Sequence, residues 1–485
     1  MNRSKLITVL SQLSTRNLAN FKEYVHSPFF NKHKATTTLL DCLLEYGVDF
    51  QETGIDKRKI FSVVFPKLAF NEVKFNYVVS KLLELLSNFL AYQEYEQNEF
   101  RKKYYALKAV HQLGVPKQAA SHIRQHRLLQ EHYPFQTANL YYEKYLYYEM
   151  LNQIHLDKNQ RLYDENLQLQ NDQLDAFYFA QKLKMACDML SRNIVIQANY
   201  KVSYIEQLLV EVKQGSFELE KHPIVHIYYQ ILQTLRDSKD ADYQALKVLV
   251  ERYATFFLPE ELLLIYDYAE NFCIRKINNG ATRYYNEFLN IYKQKLAKKL
   301  LFEEGYLSES DYKNIVTAGV RTKDYAWTEQ FIHTNKRKLR SEVQENAFNY
   351  NLAVFYYATK QYTKALQLLM TISVTDISYG VGAKTVQLQS YYELQEFEPL
   401  INLIDTFRLY VMRHKTQSDY RKKATLNMLR IVKKAAKLKE KSTFLSQNKL
   451  DKEYTKLKDL YTQTTPLSNA DWIKEIIEEL VPSGS

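Results

Sequence analysis

Residues 351–366 read NLAVFYYATKQYTKAL. Three positions of this stretch have counterparts 35 residues later, in the pairs Tyr356 and Tyr391, Tyr362 and Phe397, and Ala365 and Leu400. An interval of this length accommodates one helical hairpin together with its turns. The spacing therefore predicts two successive helix-turn-helix units that pack in equivalent ways.

The same stretch resembles the tetratricopeptide repeat, in a divergent form of bacterial type. That family has Leu, a small residue, Tyr, an aromatic residue and Ala at the positions of Leu352, Ala353, Tyr356, Tyr362 and Ala365. Lys360 and Gln395 stand where a glycine often ends the first helix of the repeat. The resemblance implies an all-α fold, an α-solenoid of stacked repeats behind an N-terminal helical module. A non-repetitive helical bundle is the alternative.

Composition independently favours helices. The 485 residues include only 10 Gly and 9 Pro, which are the usual residues of tight turns. Apolar residues recur at helical spacing in nearly every segment. We therefore predict an all-α protein with no sheet of more than two short strands.

The chain exceeds the size of one compact core, so several parts are expected. We predict an N-terminal helical module at 1–97, helix pairs at 98–220, tetratricopeptide-like repeats at 221–420 and basic capping helices at 421–485. Upstream counterparts of Tyr362 are Tyr325, Tyr284 and Tyr243, at longer and irregular intervals. The polar stretch from Asp157 to Asp172 leaves two interpretations open, a helix or a connector.

Cysteine usage and the start of the chain suggest a compartment. Cys42, Cys187 and Cys273 each lie in an apolar stretch, as expected of reduced thiols. The first residues lack the pattern of a secretory leader, and no apolar run reaches the length of a membrane span. We expect a cytoplasmic protein without a membrane span.

Two motifs invite a chemical interpretation. Residues 380–385, GVGAKT, resemble the end of a phosphate-binding loop, but Ala383 separates Gly382 from Lys384. We interpret them as a turn between two repeat helices. His122 with His126 and His222 with His226 have a spacing that could bind zinc together with a third ligand, but the residues between the first pair lack the Glu of the zinc-protease motif, and we interpret both pairs as ordinary surface or core histidines. We predict no catalytic, metal or cofactor site.

Positive charge is concentrated near the C-terminus. Residues 421–460 contain thirteen Lys or Arg and four Asp or Glu, a net of +9 out of +11 for the whole chain. One stripe of the predicted 421–441 helix carries Lys423, Arg430, Lys434, Lys437 and Lys441. Such a stripe is a candidate for polyanion contact. The alternative is a solvated outer face.

The N-terminal module offers another nucleic-acid hypothesis. A helix from Asp56 ends near Pro66, and a second helix follows from about Asn71. The pair resembles the helices of winged-helix modules that precede tetratricopeptide repeats in some bacterial transcriptional activators. A glycine-containing β-hairpin should follow in that family, whereas the next glycine here is Gly114.

Three functions follow as hypotheses. The first is a non-enzymatic scaffold that binds a protein or peptide partner along a curved helical surface. The second is a nucleic-acid-associated regulator that uses the 421–441 helix or the N-terminal module, which salt-dependent retention on heparin would favour. The third is an enzyme with a site assembled from dispersed residues.

Overall fold

The computed structural model describes residues 4–45, 56–157, 162–196, 198–214, 217–372, 377–413 and 419–481. These residues form an all-α protein of 23 α-helices with one two-stranded β-ribbon. The chain divides into two compact units, Met1–Lys182 with Glu218–Val225, and Leu183–Phe217 with His226–Ser485. The four-part division of the sequence stays a prediction.

The first unit contains eight complete helices among its described residues, and two more helices run from one unit into the other. The eight are α1 (Lys5–Leu10), α2 (Thr15–His26), α3 (Lys34–Leu44), α4 (Lys57–Val64), α5 (Glu72–Gln97), α6 (Glu99–Gln112), α7 (Pro116–His132) and α8 (Ala138–Leu156). The two shared helices are α9 (Glu165–Ile196) and α11 (Pro223–Asp237).

The second unit contains the remaining helices and the ribbon. Its helices up to the ribbon are α10 (Ile205–Lys213), α12 (Asp240–Tyr253), α13 (Pro259–Asn278) and α14 (Tyr284–Ala297). Strands β1 (Phe302–Glu303) and β2 (Tyr306–Leu307) follow. The helices after them are α15 (Glu309–Arg321), α16 (Tyr325–Asn335), α17 (Ser341–Ala358), α18 (Tyr362–Leu369), α19 (Ile377–Glu393), α20 (Phe397–Arg413), α21 (Asp419–Lys441), α22 (Gln447–Thr462) and α23 (Ala470–Glu478).

Helices α1 to α5 form one apolar core. Phe21, Leu39, Phe75 and Leu86 are among its fully buried members. The side chains of Ser14, Asp56 and Asn71 accept backbone hydrogen bonds at the starts of α2, α4 and α5, which are the usual roles of such residues at helix N-termini. The helix starts predicted at Asp56 and Asn71 are confirmed.

Three successive helical hairpins of the second unit share one turn geometry. Lys323, Lys360 and Gln395, which follow α15, α17 and α19, have positive φ angles of 60°, 62° and 57°. In each turn the next amide donates to a carbonyl five residues back, with N to O distances of 3.0, 2.7 and 3.0 Å. This arrangement is the Schellman motif, which satisfies carbonyls that a helix end leaves unpaired. The second helices then begin at Tyr325, Tyr362 and Phe397.

The fourth residue of each second helix is fully buried. These residues are Thr328, Ala365 and Leu400, all 0% exposed. At the α15–α16 crossing the approach is so close that a Cβ on Gly319 would lie 2.1 Å from Thr328 Oγ1. The close approach explains why α15 has a glycine in its last turn.

Packing is mostly between helices that are close in sequence. Each of α15, α16, α17, α18 and α19 contacts the helix that follows it, and α15 and α17 also contact the first helix of the next hairpin. Sequential contacts of this kind are typical of helical repeats. None of the described helices is both long and apolar enough to cross a bilayer.

The structure bears on two segments whose conformation the sequence left uncertain or suggested wrongly. The turn expected at residues 380–385 is wrong, because they lie inside α19. The helix needs a residue without a side chain at Gly382, because an added Cβ would lie 2.4 Å from the hydroxyl oxygen of Tyr350. The polar stretch from Asp157 to Asp172 includes the first eight residues of α9, while residues 158–161 lie outside the described residues.

We expect Ala365→Leu to destabilise the protein. The side chain at this position is fully buried, so three additional heavy atoms would overfill the α17–α18 crossing, at a cost of roughly 1 to 3 kcal/mol. Chemical denaturation measures the effect. Thr363→Leu adds apolar bulk two residues away on the exposed face and is the control. Equal stability of the two variants would contradict the packing.

Candidate functional site

A large cleft of the second unit lies beside the β-ribbon and has a volume of about 1170 Å³. We call it the ribbon cleft. Its lining includes the apolar side chains of Pro259, Leu263, Leu300, Leu301, Phe302, Leu307 and Val343 and the ring of Tyr306. Its charged lining consists of Glu260, Asp267, Glu270, Glu303, Glu309, Asp311, Glu342, Lys295, Lys298, Lys299 and Arg340. The cleft thus combines an apolar surface with an excess of acidic side chains.

The ribbon itself is held by a two-residue turn. Phe302 pairs with Leu307 and Glu303 with Tyr306, so Glu304 and Gly305 form the loop. Both loop residues have positive φ, 51° and 86°. A loop of this conformation matches the twist of a β-hairpin, and glycine adopts it without strain.

Arg340 connects the ribbon to the start of α17. Its guanidinium lies 5.1 Å from the centre of the Tyr306 ring, within the range of a cation–π contact. The same group forms an ion pair of 3.3 Å with Glu304. Because Tyr306 is 41% exposed, this contact leaves part of the ring available at the edge of the cleft.

A buried ion pair lies at the base of the ribbon cleft. Lys295 on α14 is 2% exposed, and its Nζ donates to Glu270 Oε1 at 2.6 Å and to Asp267 Oδ1 at 3.1 Å, both on α13. Burial raises the pKa of Glu270 from 4.5 to about 7, against the opposing charge of Lys295. Lys295 hydrogen-bonds to both acids, so this buried cluster joins α13 to α14.

The polar network continues to α15. The Tyr292 hydroxyl donates to Asp311 Oδ1 at 3.1 Å and accepts from Asn314 Nδ2 at 3.2 Å. Burial raises the pKa of Tyr292, so the phenol keeps its proton. Perturbed carboxyl and phenol groups in a cleft occur at catalytic sites and also in structural ion-pair networks. Here every group named bridges two helices.

Sequence reasoning missed Glu270 and Lys295. A signal for Lys295 was present: Phe288 and Tyr292 occupy the same helical stripe, and Lys295 continues it at the next turn. A charged residue on a buried stripe requires an opposite charge on a neighbouring helix. The sequence does not reveal which acid supplies it, since the distance between Glu270 and Lys295 depends on how α13 packs on α14.

The residues predicted to pack within the repeats lie in α17 to α20. Leu352, Ala353, Ala365 and Leu400 are buried, and Tyr356, Tyr362, Tyr391 and Phe397 are partly buried. The Tyr362 ring lies 5.6 Å from that of Tyr357, and the Phe397 ring lies 6.4 Å from that of Tyr392, so each second helix starts with an aromatic contact to the preceding helix. Their role as repeat-packing residues stays a prediction.

All five residues of the predicted polyanion stripe are exposed on α21. They are Lys423, Arg430, Lys434, Lys437 and Lys441. The opposite face, including Met428, Ile431, Val432 and Ala435, is buried. Arg430 donates a hydrogen bond of 3.2 Å to Thr464 Oγ1, and the three lysines at 434, 437 and 441 line a groove between α21 and α22. Whether the stripe contacts a polyanion stays a prediction.

The histidine pairs have other partners. His126 is fully buried, its ring stacks on that of Tyr147 at 4.3 Å, and burial lowers its pKa to about 4. The Nδ1 atoms of His222 and His226 lie 3.2 Å from the hydroxyls of Tyr141 and Tyr253, respectively. Within the described ranges, no three His, Cys, Asp or Glu side chains form a group that could hold a metal ion.

Comparison with known proteins gave no match: no protein-family model, no curated protein and no solved structure matches the chain.

The buried Glu270 predicts a specific dependence of stability on pH. The folded state keeps a proton on this carboxyl up to about pH 7, whereas the unfolded chain releases it near pH 4.5. The contribution of Glu270 to the free energy of unfolding is therefore present at low pH and decreases as the pH rises from about 4.5 through about 7.

We expect the stability difference between the parent and Glu270→Gln to shift against the parent across this interval, by on the order of 3 kcal/mol. Urea denaturation of both proteins at a series of pH values measures it. Glu303→Gln, on the exposed ribbon, is the control and should show no such trend. A difference that is constant or rises with pH would show that Glu270 is ionised throughout.

Proposed function

We propose that the protein is a non-enzymatic helical-repeat scaffold of tetratricopeptide type that binds a segment of a partner protein in the ribbon cleft. The single observation that carries the proposal is the cleft of about 1170 Å³, with its apolar surface and charged edge. Its volume exceeds the range of about 300 to 1000 Å³ common for small-molecule sites. A protein segment is therefore the occupant that fits best.

The recurring turns support the repeat part of the proposal. Lys323, Lys360 and Gln395 occupy equivalent positions at intervals of 37 and 35 residues, and each ends the first helix of a hairpin. Lys360 and Gln395 are the residues that replace the family's frequent glycine. Glycine is frequent at such positions because it adopts the left-handed conformation without strain, and Lys360 and Gln395 adopt the same conformation.

The charges of the cleft suggest the composition of the partner segment. Glu260, Glu303 and Glu342 are exposed acids of the lining, while Arg340 already pairs with Glu304. Apolar side chains such as Leu263 and Val343 are partly exposed between them. The partner segment should therefore present apolar anchors next to Lys or Arg, in an extended or helical conformation.

The proposal includes a cytoplasmic location. Cys42, Cys187 and Cys273 are all buried and free of disulfides. Three unpaired thiols are more typical of a reducing compartment than of an oxidising one.

A nucleic-acid-associated regulator is the second candidate. The exposure of all five stripe residues on α21 is the observation in its favour. The N-terminal module supports it less, since the described residues 56–157 contain helices only and α5 is followed directly by α6. No wing therefore follows the two helices that resemble a winged-helix module.

Leu263→Glu tests the ribbon cleft as a protein-binding site. Leu263 lines the cleft, so a carboxylate there should repel apolar anchors and weaken binding of the partner by roughly tenfold or more. Affinity purification with the parent identifies the partner, and titration of a synthetic segment of that partner then gives the dissociation constant for each variant.

The neighbouring residue provides a matched control. Leu264 is on the same helix and 43% exposed, and it does not line the cleft. Leu264→Glu should bind the segment as tightly as the parent does. Equal affinity of all three proteins, or equal loss in both variants, would contradict binding in the ribbon cleft.

A further inference from the structure

The groove between α21 and α22 concentrates lysines from both helices. Lys434, Lys437 and Lys441 line it from α21, and Lys449, Lys452 and Lys456 line it from α22. On each helix the three residues have the same spacing, three and then four positions apart, so they form one stripe on each side. We call this groove, of about 560 Å³, the lysine cleft.

Acidic partners are scarce in the lysine cleft. Glu453 is the one acid among the lining residues that the structure describes, and it pairs with Lys456 at 2.6 Å. Within the described part of the chain, the other five lysines form no ion pair. Six lysines and one glutamate leave five positive charges in excess.

Two lysines of α21 outside the cleft, by contrast, have acidic partners. Lys433 pairs with Asp405 of α20 at 2.7 Å, and Lys439 pairs with Glu479 at 3.3 Å. Like charges three or four residues apart on a helix destabilise it. The charges of Lys433 and Lys439 are thus balanced by acids of neighbouring helices. The lysines that face the lysine cleft repel one another, and a bound anion would reduce this repulsion.

The lining also indicates the class of anion. It contains neither arginine nor an aromatic side chain, so the described cleft offers no bidentate fork and no surface on which a nucleobase could stack. The lysine ammonium is a compact point charge and a common ligand of phosphate. Leu438 and Leu457, 7% and 2% exposed, form an apolar base beneath the exposed lysines.

We propose that the lysine cleft is a binding site for a compact anion that carries several linked phosphate groups. The volume of about 560 Å³ suits a small molecule rather than a duplex or a folded partner. Recognition is by density of negative charge, so a free polyphosphate chain and the polyphosphate part of a nucleotide share the required chemistry. The site uses none of the residues of the ribbon cleft and is independent of the proposed scaffold function.

The test is calorimetric titration of the full-length protein with tripolyphosphate, orthophosphate, ATP and a DNA duplex at low and physiological salt. The cleft variant is Lys437→Gln/Lys452→Gln. The control variant, Lys422→Gln/Lys458→Gln, removes the same charge from positions of the same two helices outside both the cleft and the polyanion stripe, one partly exposed and one exposed. Circular dichroism of both variants verifies that they are folded.

We expect the parent to bind tripolyphosphate and ATP similarly, and orthophosphate roughly tenfold or more weakly. The cleft variant should lose roughly tenfold or more in affinity for tripolyphosphate, and the control variant no more than about twofold. Equal losses in the two variants would show a diffuse basic surface and overturn the site. Failure of the parent to bind tripolyphosphate would also overturn the site. So would a DNA duplex that binds more tightly than tripolyphosphate and loses the same affinity in the cleft variant and in the control variant.

Discussion

The left-handed residue that ends the first helix of each hairpin determines how α15 to α20 are arranged. Lys323, Lys360 and Gln395 each reverse the chain within two residues, so the next helix begins at a fixed distance and direction. The fully buried residues Thr328 and Ala365 then lie at the crossings of the helices. A different conformation at the turn would move these residues out of the crossings and expose the apolar faces of both helices.

Only part of this arrangement could be predicted from the sequence. Tyr362 and Phe397 mark the starts of second helices because an aromatic residue there packs on the preceding helix, a local effect that the spacing reveals. The helix through Gly380 and Gly382 could not be predicted, since two glycines within three residues suggest a turn. Only the position of Tyr350, on another helix, shows that a small residue is required at Gly382.

Each cleft is lined by side chains from several helices or strands, and the residue pattern of one helix does not show which residues of another helix face it. The stripe on α21 was recognisable from residues 421–441. The sequence did not show that three of its lysines line a groove together with the lysines at 449, 452 and 456 of α22. Similarly, Lys295 was visible as a charge on an apolar stripe, while its partners on α13 follow from packing. Long-range charge placement is therefore the part of the candidate sites that sequence patterns describe least.

The free energy of unfolding of Lys360→Gly is the most direct measure of the constraint at the hairpin turns. The left-handed conformation destabilises a non-glycine residue by roughly 1 to 2 kcal/mol. Replacement by glycine removes this strain, but part of the stabilisation is lost because glycine has greater conformational freedom in the unfolded chain. We expect Lys360→Gly to be more stable than the parent by about 0.5 to 1 kcal/mol, and Lys364→Gly, within α18, to be less stable by about 1 kcal/mol. A loss of stability in Lys360→Gly like that in Lys364→Gly would contradict a left-handed turn at Lys360.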